Sequence, residues 1–599
     1  MIKHKLILET IAAIEQSIDV NTVRYKDILV WPLVRIKIYQ QMWHTETNYR
    51  SISYGCHVNY PVFTIQEQKI NELKKYNNAE ILFFSRLEEH ETIKGKLYNP
   101  YIDTMIDLAK VENYNYVKIE MHSKQSQYSK LRFEPTILLQ PIVLRYEEDM
   151  ISSIENFAEL QMVIQDISGI QFEERMFLEE ARLINQIQNF FIEVLSIIHP
   201  KTVFLVCYYY TTAMALVKAC KKLGISTVDI QHGTYGNYHG AYTHWTTIPS
   251  EGYNLVPDYY WCWGKTSKES IEKWYSRIFH HQPIVGSNLN IAKSIEEIDF
   301  KVDKGFIEFY DQLRHNKDKD KVVLIAMSYP DIPNIVFETI RLAPNEWIWM
   351  IRLHPRYRTI KDINRIIDIF KEQGINNYEI EYANNCSLHE LLKNCDHIVI
   401  SLSSIFYEAL AFRVPTTMID QSGLEYYEDD IKKGILTYAD TSDRLLASIK
   451  QGFSHNVKPS DYIETDKQCA KNAMQIIMRN TSQGICQNIN YSFGNKTAKQ
   501  NDVYSNNMNK LGTELARRNL IKAAFNCFFK AIETNKLFAL GYNNIGILYC
   551  HSEENNKALQ YLVKALEIKP DDQRIVSNVI EFLKILGNIQ THRNMLLLF

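Results

Sequence analysis

The sequence predicts an α/β chain of two facing doubly wound domains, followed by an all-α domain of helical repeats. Three observations predict this. Short apolar runs alternate with helix-like stretches in two separate series. A charged segment, 311–320, divides the series. From about residue 508 the chain repeats with a period of 34. The boundaries drawn from these patterns are 1–300, 301–480, a polar linker over 481–507, and 508–599.

The first series opens, after an irregular N-terminal section, with the strand-like run Ile81-Leu82-Phe83-Phe84-Ser85. Further on, Lys201 to Cys207 reads as a strand, Thr211 to Leu223 as a helix and Ser226 to Gln231 as the next strand, a βαβ unit. That last strand delivers Gln231-His232-Gly233-Thr234-Tyr235-Gly236 into a loop, with Gly233 permitting close approach of a ligand to the backbone. His232 titrates near working pH, so it suits a general base for an acceptor hydroxyl; the other reading is a loop-holding histidine. Gln231, Gly233, Thr234 and Tyr235 are read as lining the same cleft. Glu88 and Glu89, after the first strand, and Asp103 are rival carboxylate bases.

The second series begins at Val322 to Met327. Glu346 to Ile351 reads as a buried strand with Arg352, His354 and Pro355 at its carboxyl end. His397 to Ile400 is the next, followed by the turn Ser401 to Ser404 and a helix from Ile405 to Phe412. Ligands of open α/β sheets bind outside the carboxyl ends of the strands. A cation (Arg352), an imidazole (His354) and two hydroxyls (Ser403, Ser404) there suit the phosphate of a nucleotide. Glu408 is placed to accept a ribose hydroxyl or to cap its own helix. Asp318-Lys319-Asp320 reads as solvated linker, not a metal-binding triplet, because no apolar strand carries it into a cleft.

In the third region Gly512 recurs as Gly546, Ala524 as Ala558, Phe528 as Leu562 and Ala531 as Ala565. A partial unit around Val576 to Leu586 follows as a cap. This pattern resembles the tetratricopeptide repeat, which implies a protein or peptide partner.

The formal charge of -3 excludes nucleic acid as the main partner. The absence of a Walker A loop and of GxGxxG argues against a kinase or a dinucleotide oxidoreductase. Ten scattered cysteines without a CxxC pair fit reduced thiols, and Glu9 interrupts any secretory apolar stretch; a cytoplasmic protein is expected. No run spans a bilayer, so membrane contact is at most peripheral, through Ile28 to Lys37; packing on the first domain is the preferred reading of that segment.

His354-Pro355 and Ser403-Ser404 resemble the HP and SS motifs of bacterial glycosyltransferase-B (GT-B) sialyltransferases and capsule Kdo transferases. That resemblance implies two facing Rossmann-like domains. It makes His354 phosphate binder and leaving-group stabiliser, and Ser403 and Ser404 phosphate ligands. It also implies a CMP-activated acid sugar (sialic, pseudaminic or legionaminic acid, or Kdo) as substrate, without a cofactor or metal. The acidic-acidic-Gly motif of the sialyltransferases is missing, and Glu88-Glu89-His90 is its nearest substitute. Gln231-His232-Gly233 instead is similar to the His-Gly loop of CDP-glycerol glycerophosphotransferases, which implies His232 as base. Together these imply a surface-glycan enzyme with a nucleotide-sugar donor, a glycan or protein acceptor such as flagellin, and a protein partner on the repeats. The alternatives are a CDP-glycerol glycerophosphotransferase, a UDP-sugar transferase or epimerase, and a non-catalytic scaffold acting through the repeats.

Overall fold

Residues 4–43, 59–86, 89–93, 95–121, 131–148, 151, 153–275, 280–297, 308, 321–328, 331–354, 357–452, 458–482, 505–506, 508–510, 512–513, 516, 521–552 and 554–585 are described by the computed structural model. Glu88, Pro355, Asp318 to Asp320 and most of the 481–507 linker lie outside them. Two units divide the chain, 1–478 and 479–599.

The first unit begins with helices α1 (His4–Ser17) and α2 (Trp31–Trp43). Its first sheet holds seven parallel strands: β1 (Ile81–Arg86), β2 (Tyr116–Met121), β3 (Ile137–Leu139), β4 (Thr202–Val206), β5 (Ser226–Ile230), β6 (Tyr259–Cys262) and β7 (Gln282–Val285). Their spatial order is β3-β2-β1-β4-β5-β6-β7. Alternating side chains feed two cores. Leu82 and Phe84 pack with α4 (Glu174–Ile198) and α5 (Thr211–Leu223). Ile81 and Phe83 face α3 (Ile102–Val111) on the other side.

After α6 (Leu289–Glu296) come the strands of the second sheet, β8 (Val322–Met327), β9 (Ile348–Leu353), β10 (Tyr378–Glu379), β11 (His397–Ile400), β12 (Thr416–Met418) and β13 (Thr437–Tyr438). All are parallel, in the order β10-β9-β8-β11-β12-β13. Val323 and Ile325 pack with α7 (Asn334–Leu342), α8 (Ile360–Glu372) and α14 (Ser442–Gln451). The opposite face, Leu324 and Ile398, packs with α10 (Leu388–Asn394) and α11 (Ile405–Ala411). Short helices α9 (Glu381–Asn385), α12 (Gly423–Tyr426) and α13 (Glu428–Lys432) fill the edges. Both sheets therefore run in Rossmann order, and each has one place where strand order reverses, between β1 and β4 and between β8 and β11.

Two findings depart from the sequence reading. Helix α15 (Lys467–Ser482), inside the 301–480 segment assigned to the second domain, packs Ala470, Ala473, Met474 and Ile477 onto β1, β4 and β5 of the first sheet. Gly264 lets the returning chain pass: a Cβ there would lie 2.4 Å from the Tyr462 carbonyl carbon. The described part of the section before Ile81 is mostly regular, with helices α1 and α2. Trp31 to Ile36 and Ile38 are buried, so Ile28 to Lys37 is packed core, as preferred. Arg35 and Glu15 form a fully buried ion pair at 2.7 Å. Glu15 also accepts from Trp31 Nε1 and from the Thr246 N–H and hydroxyl, while Arg35 donates to the carbonyls of Gly240 and Thr243 and lies over the Trp245 ring.

The second unit contains α16 (Ile521–Thr534), α17 (Ala539–His551), α18 (Asn555–Ile568) and α19 (Gln573–Ile585). The sequence period is visible in its packing. A Cβ on Gly512 would lie 2.5 Å from the Phe528 ring, and one on Gly546, 34 residues later, 2.6 Å from Leu562. Among the described residues no helix is long and apolar enough to cross a membrane.

Arg35→Met strands the Glu15 carboxylate in the core, and about 3–5 kcal/mol of stability is expected to be lost. Urea unfolding followed by tryptophan fluorescence measures it; a loss under about 1 kcal/mol, the value of an exposed pair, would contradict the assigned burial.

Candidate functional site

At the reversal point of the second sheet, Ser328 directly follows β8 and Ser401 directly follows β11. Ser328 N–H donates to Ser401 Oγ (2.9 Å) and Ser328 Oγ to the Leu402 carbonyl (2.6 Å), which fixes the turn. Ser403 and Ser404 are half-buried. Ser403 Oγ accepts the Ile405 N–H at 3.3 Å, whereas Ser404, immediately before α11, makes no side-chain cap bond. His354 stands exposed just beyond β9. Arg352 is buried inside β9, since the strand runs two residues further than the apolar run suggests. Its Nη1 donates to the carbonyls of Ala383 (2.6 Å) and Cys386 (2.9 Å), tying α9 to the sheet. Glu408 accepts from or donates to nothing in the cleft that is described; its Oε2 lies 2.9 Å from His389 Nε2, and His389 Nδ1 is 2.7 Å from Ser294 Oγ on α6.

In the first domain His232 follows β5. Its Nε2 is 3.5 Å from Tyr209 Oη, its carbonyl accepts from Tyr101 Oη at 3.3 Å, and its buried Nδ1 has no well-formed hydrogen bond. Desolvation in this half-buried site, then the charge of Arg86, lowers its pKa to about 4, so the imidazole is neutral at pH 7. Arg86 itself stacks on the Tyr210 ring (3.8 Å) and donates to Glu89 at 2.9 Å. Burial nonetheless raises the Glu89 pKa. Asp103 does not emerge on the cleft: it is buried in an ion pair with Lys118 at 2.5 Å. Gln231 shapes the loop, its Oε1 accepting the Trp263 N–H and its Nε2 donating to the Gly233 carbonyl and Ser267. Tyr235 is buried against Tyr242, ring centroids 3.8 Å apart.

The two predicted motifs meet. A Cβ on Gly233 would sit 3.8 Å from Ser404 Oγ, so the loop of one sheet faces the turn of the other. Thr234 Oγ1 is 3.5 Å from Tyr427 Oη, and Asn237 Nδ2 donates to Asp429 at 3.2 Å, which closes the same side. Arg352, Glu408, Gln231 and Tyr235 are not brought to this meeting point as free groups.

Sequence reasoning missed Arg86, Tyr209 and Asp229. The first two directly follow or end apolar strands and were hidden by their neighbours' stronger signals. Asp229 was visible as a lone carboxylate inside a strand. It is fully buried, its Oδ2 accepting from Tyr235 (3.1 Å) and Tyr242 (2.8 Å), and burial pushes its pKa up to about 7.

No family profile matches the sequence, and comparison with curated proteins found no relative. Solved structures align over about two thirds of the chain. UDP-GlcNAc 2-epimerase of Methanocaldococcus jannaschii, in complex with UDP-GlcNAc and UDP, is 13% identical; the alignment covers 67% of this chain and 99% of that one, with a TM-score of 0.40. UDP-GlcNAc 2-epimerase of Neisseria meningitidis, bound to UDP-GlcNAc, is 14% identical over 67% of this chain and 99% of its own, with a TM-score of 0.42. Similarity at this level says nothing about activity, and the fold stands on its own strand order and packing.

Folded Asp229 keeps its proton up to about pH 7, whereas an unfolded aspartate loses it near pH ~3.9. Between those values the folded chain binds more protons, so this group's contribution to stability falls as pH rises. Asp229→Asn, which still accepts from both tyrosines, is expected to lose less thermal stability between pH 5 and pH 8 than the natural protein; equal losses would contradict the shift.

Proposed function

We propose that this chain transfers a sugar from a cytidine nucleotide to an acceptor hydroxyl, with the donor phosphate at Ser403, Ser404 and His354 and the acceptor on the His232 side. The approach of Gly233 to Ser404 carries this reading, because it brings the loop that holds the neutral His232 imidazole against the turn that holds the two serine hydroxyls. The resemblance of the His354-Pro355 and Ser403-Ser404 motifs to those of CMP-sugar transferases supports CMP and an acid sugar.

In the proposed reaction the acceptor oxygen attacks the anomeric carbon while His232 takes its proton. The bond from that carbon to the phosphate oxygen breaks, and its electron pair leaves with CMP. The Ser403 and Ser404 hydroxyls and His354 donate hydrogen bonds to the phosphate oxygens and so stabilise the departing charge. A neutral His232 is in the protonation state that the step requires. Arg352 and Glu408 serve this site indirectly, by holding α9 and α10 against the donor-side turn. The 34-residue period and its matched glycine contacts support tetratricopeptide repeats in 508–599, and these suit a protein acceptor or partner.

Calorimetry with CMP, CDP, UDP and GDP tests the donor side. CMP or CDP is expected to bind selectively, and Ser404→Ala to weaken it up to about tenfold, the loss of ~1.4 kcal/mol. His232→Ala is expected to retain nucleotide binding and lose transfer. Preference for UDP, or indifference to Ser404→Ala, would replace the cytidine reading.

A further inference from the structure

At the reversal point of the first sheet, where β1 and β4 end side by side, lies a cavity of about 190 Å³. Its walls are α2, α4 and the start of α5. Sheets of this order bind ligands at this place. The volume is below the ~300–1,000 Å³ of pockets that hold drug-sized molecules, so it suits one ring and not a nucleotide.

The lining has two characters. Leu33, Ile36 and Met214 are apolar, and Tyr209 and Tyr210 add aromatic surface. Between them stand Lys37, Gln40 and Glu180, the last accepting the Thr211 hydroxyl at 3.1 Å. Tyr210 Oη is buried away from solvent, so this residue lines the cavity with its ring and not with its hydroxyl. Arg86 stacked on Tyr210 holds the ring in place. Tyr209 is a shared wall: it lines the cavity, and its hydroxyl reaches to within 3.5 Å of His232 Nε2.

We propose that this cavity seats the terminal sugar ring of the acceptor. Its C–H faces lie against the tyrosine rings and aliphatic side chains, and its hydroxyls bond to Lys37, Gln40 and Glu180. The end of the ring nearest Tyr209 presents a hydroxyl to His232. The acceptor role rests on the transferase reading above; the saccharide site itself does not.

Saturation-transfer NMR on the full chain, with methyl glycosides of galactose, N-acetylglucosamine and glucuronic acid as probes, tests the site. At least one glycoside is expected to bind. Lys37→Met, which removes the ammonium and keeps the aliphatic stem, should weaken it roughly three- to tenfold, the worth of one hydrogen bond. Gln40→Trp, at an exposed position on the rim, should block it, and neither variant should alter CMP binding. No binding by any of the three, or binding unchanged in both variants, overturns the site. Glycoside binding that responds to both variants in a chain that binds no nucleotide would preserve the saccharide site and remove the transferase reading.

Discussion

The buried pair of Glu15 and Arg35 is what the first domain's cleft face depends on. Residues 231–258 run from β5 to β6 without a helix or strand, and loops of that length inside a domain are uncommon unless something else fixes them. Here the N-terminal helices do so. Arg35 donates to two carbonyls of this stretch, Glu15 receives Thr246, and Tyr39 Oη donates to the Tyr238 carbonyl at 2.8 Å. Tyr208 Oη adds a bond to Ala241 from below. Two charges placed in an apolar core are tolerable only when every donor and acceptor finds a partner, which makes the pair a demanding fastener but a specific one. His232 inherits its position from that arrangement.

The same region gathers several of the chain's 37 tyrosines. Tyr208, Tyr235, Tyr242, Tyr260 and Tyr275 are fully buried and form a network of tilted and edge-on ring contacts beside Asp229. Rings that carry a hydrogen-bonding tip can pack a core and still satisfy a buried carboxylate. Tyr209 and Tyr210, next to this group in the chain, line a cavity instead.

The strands were legible because buried parallel strands are continuous apolar runs, and β1, β4, β5, β8 and β11 stand almost where those runs are. The facing of the Gly233 loop and the Ser404 turn followed from the strand ends. Helix α2 was not legible. It is buried nearly all round, so Leu33, Val34, Arg35 and Ile36 carry no amphipathic stripe to announce a helix. The role of Arg352 was obscured for a related reason: one additional turn of pleat places a cation inside the strand, where it bonds to carbonyls of α9. Contacts between distant segments, such as α15 returning to the first sheet or Glu15 meeting Arg35, have no signature in local periodicity.

Both sheets have the same strand order, so each has its own reversal point, and the two are built from loops that share no strand. Cys207 to Tyr210 and Arg86 belong to one; Ser328 and Ser401 to Ser404 belong to the other. Changes at one address leave the framework of the opposite address intact. A chain of this kind can exchange what it recognises on one wall while conserving the other, and new pairings of the two recognised molecules are open to it by substitution in a few loop residues.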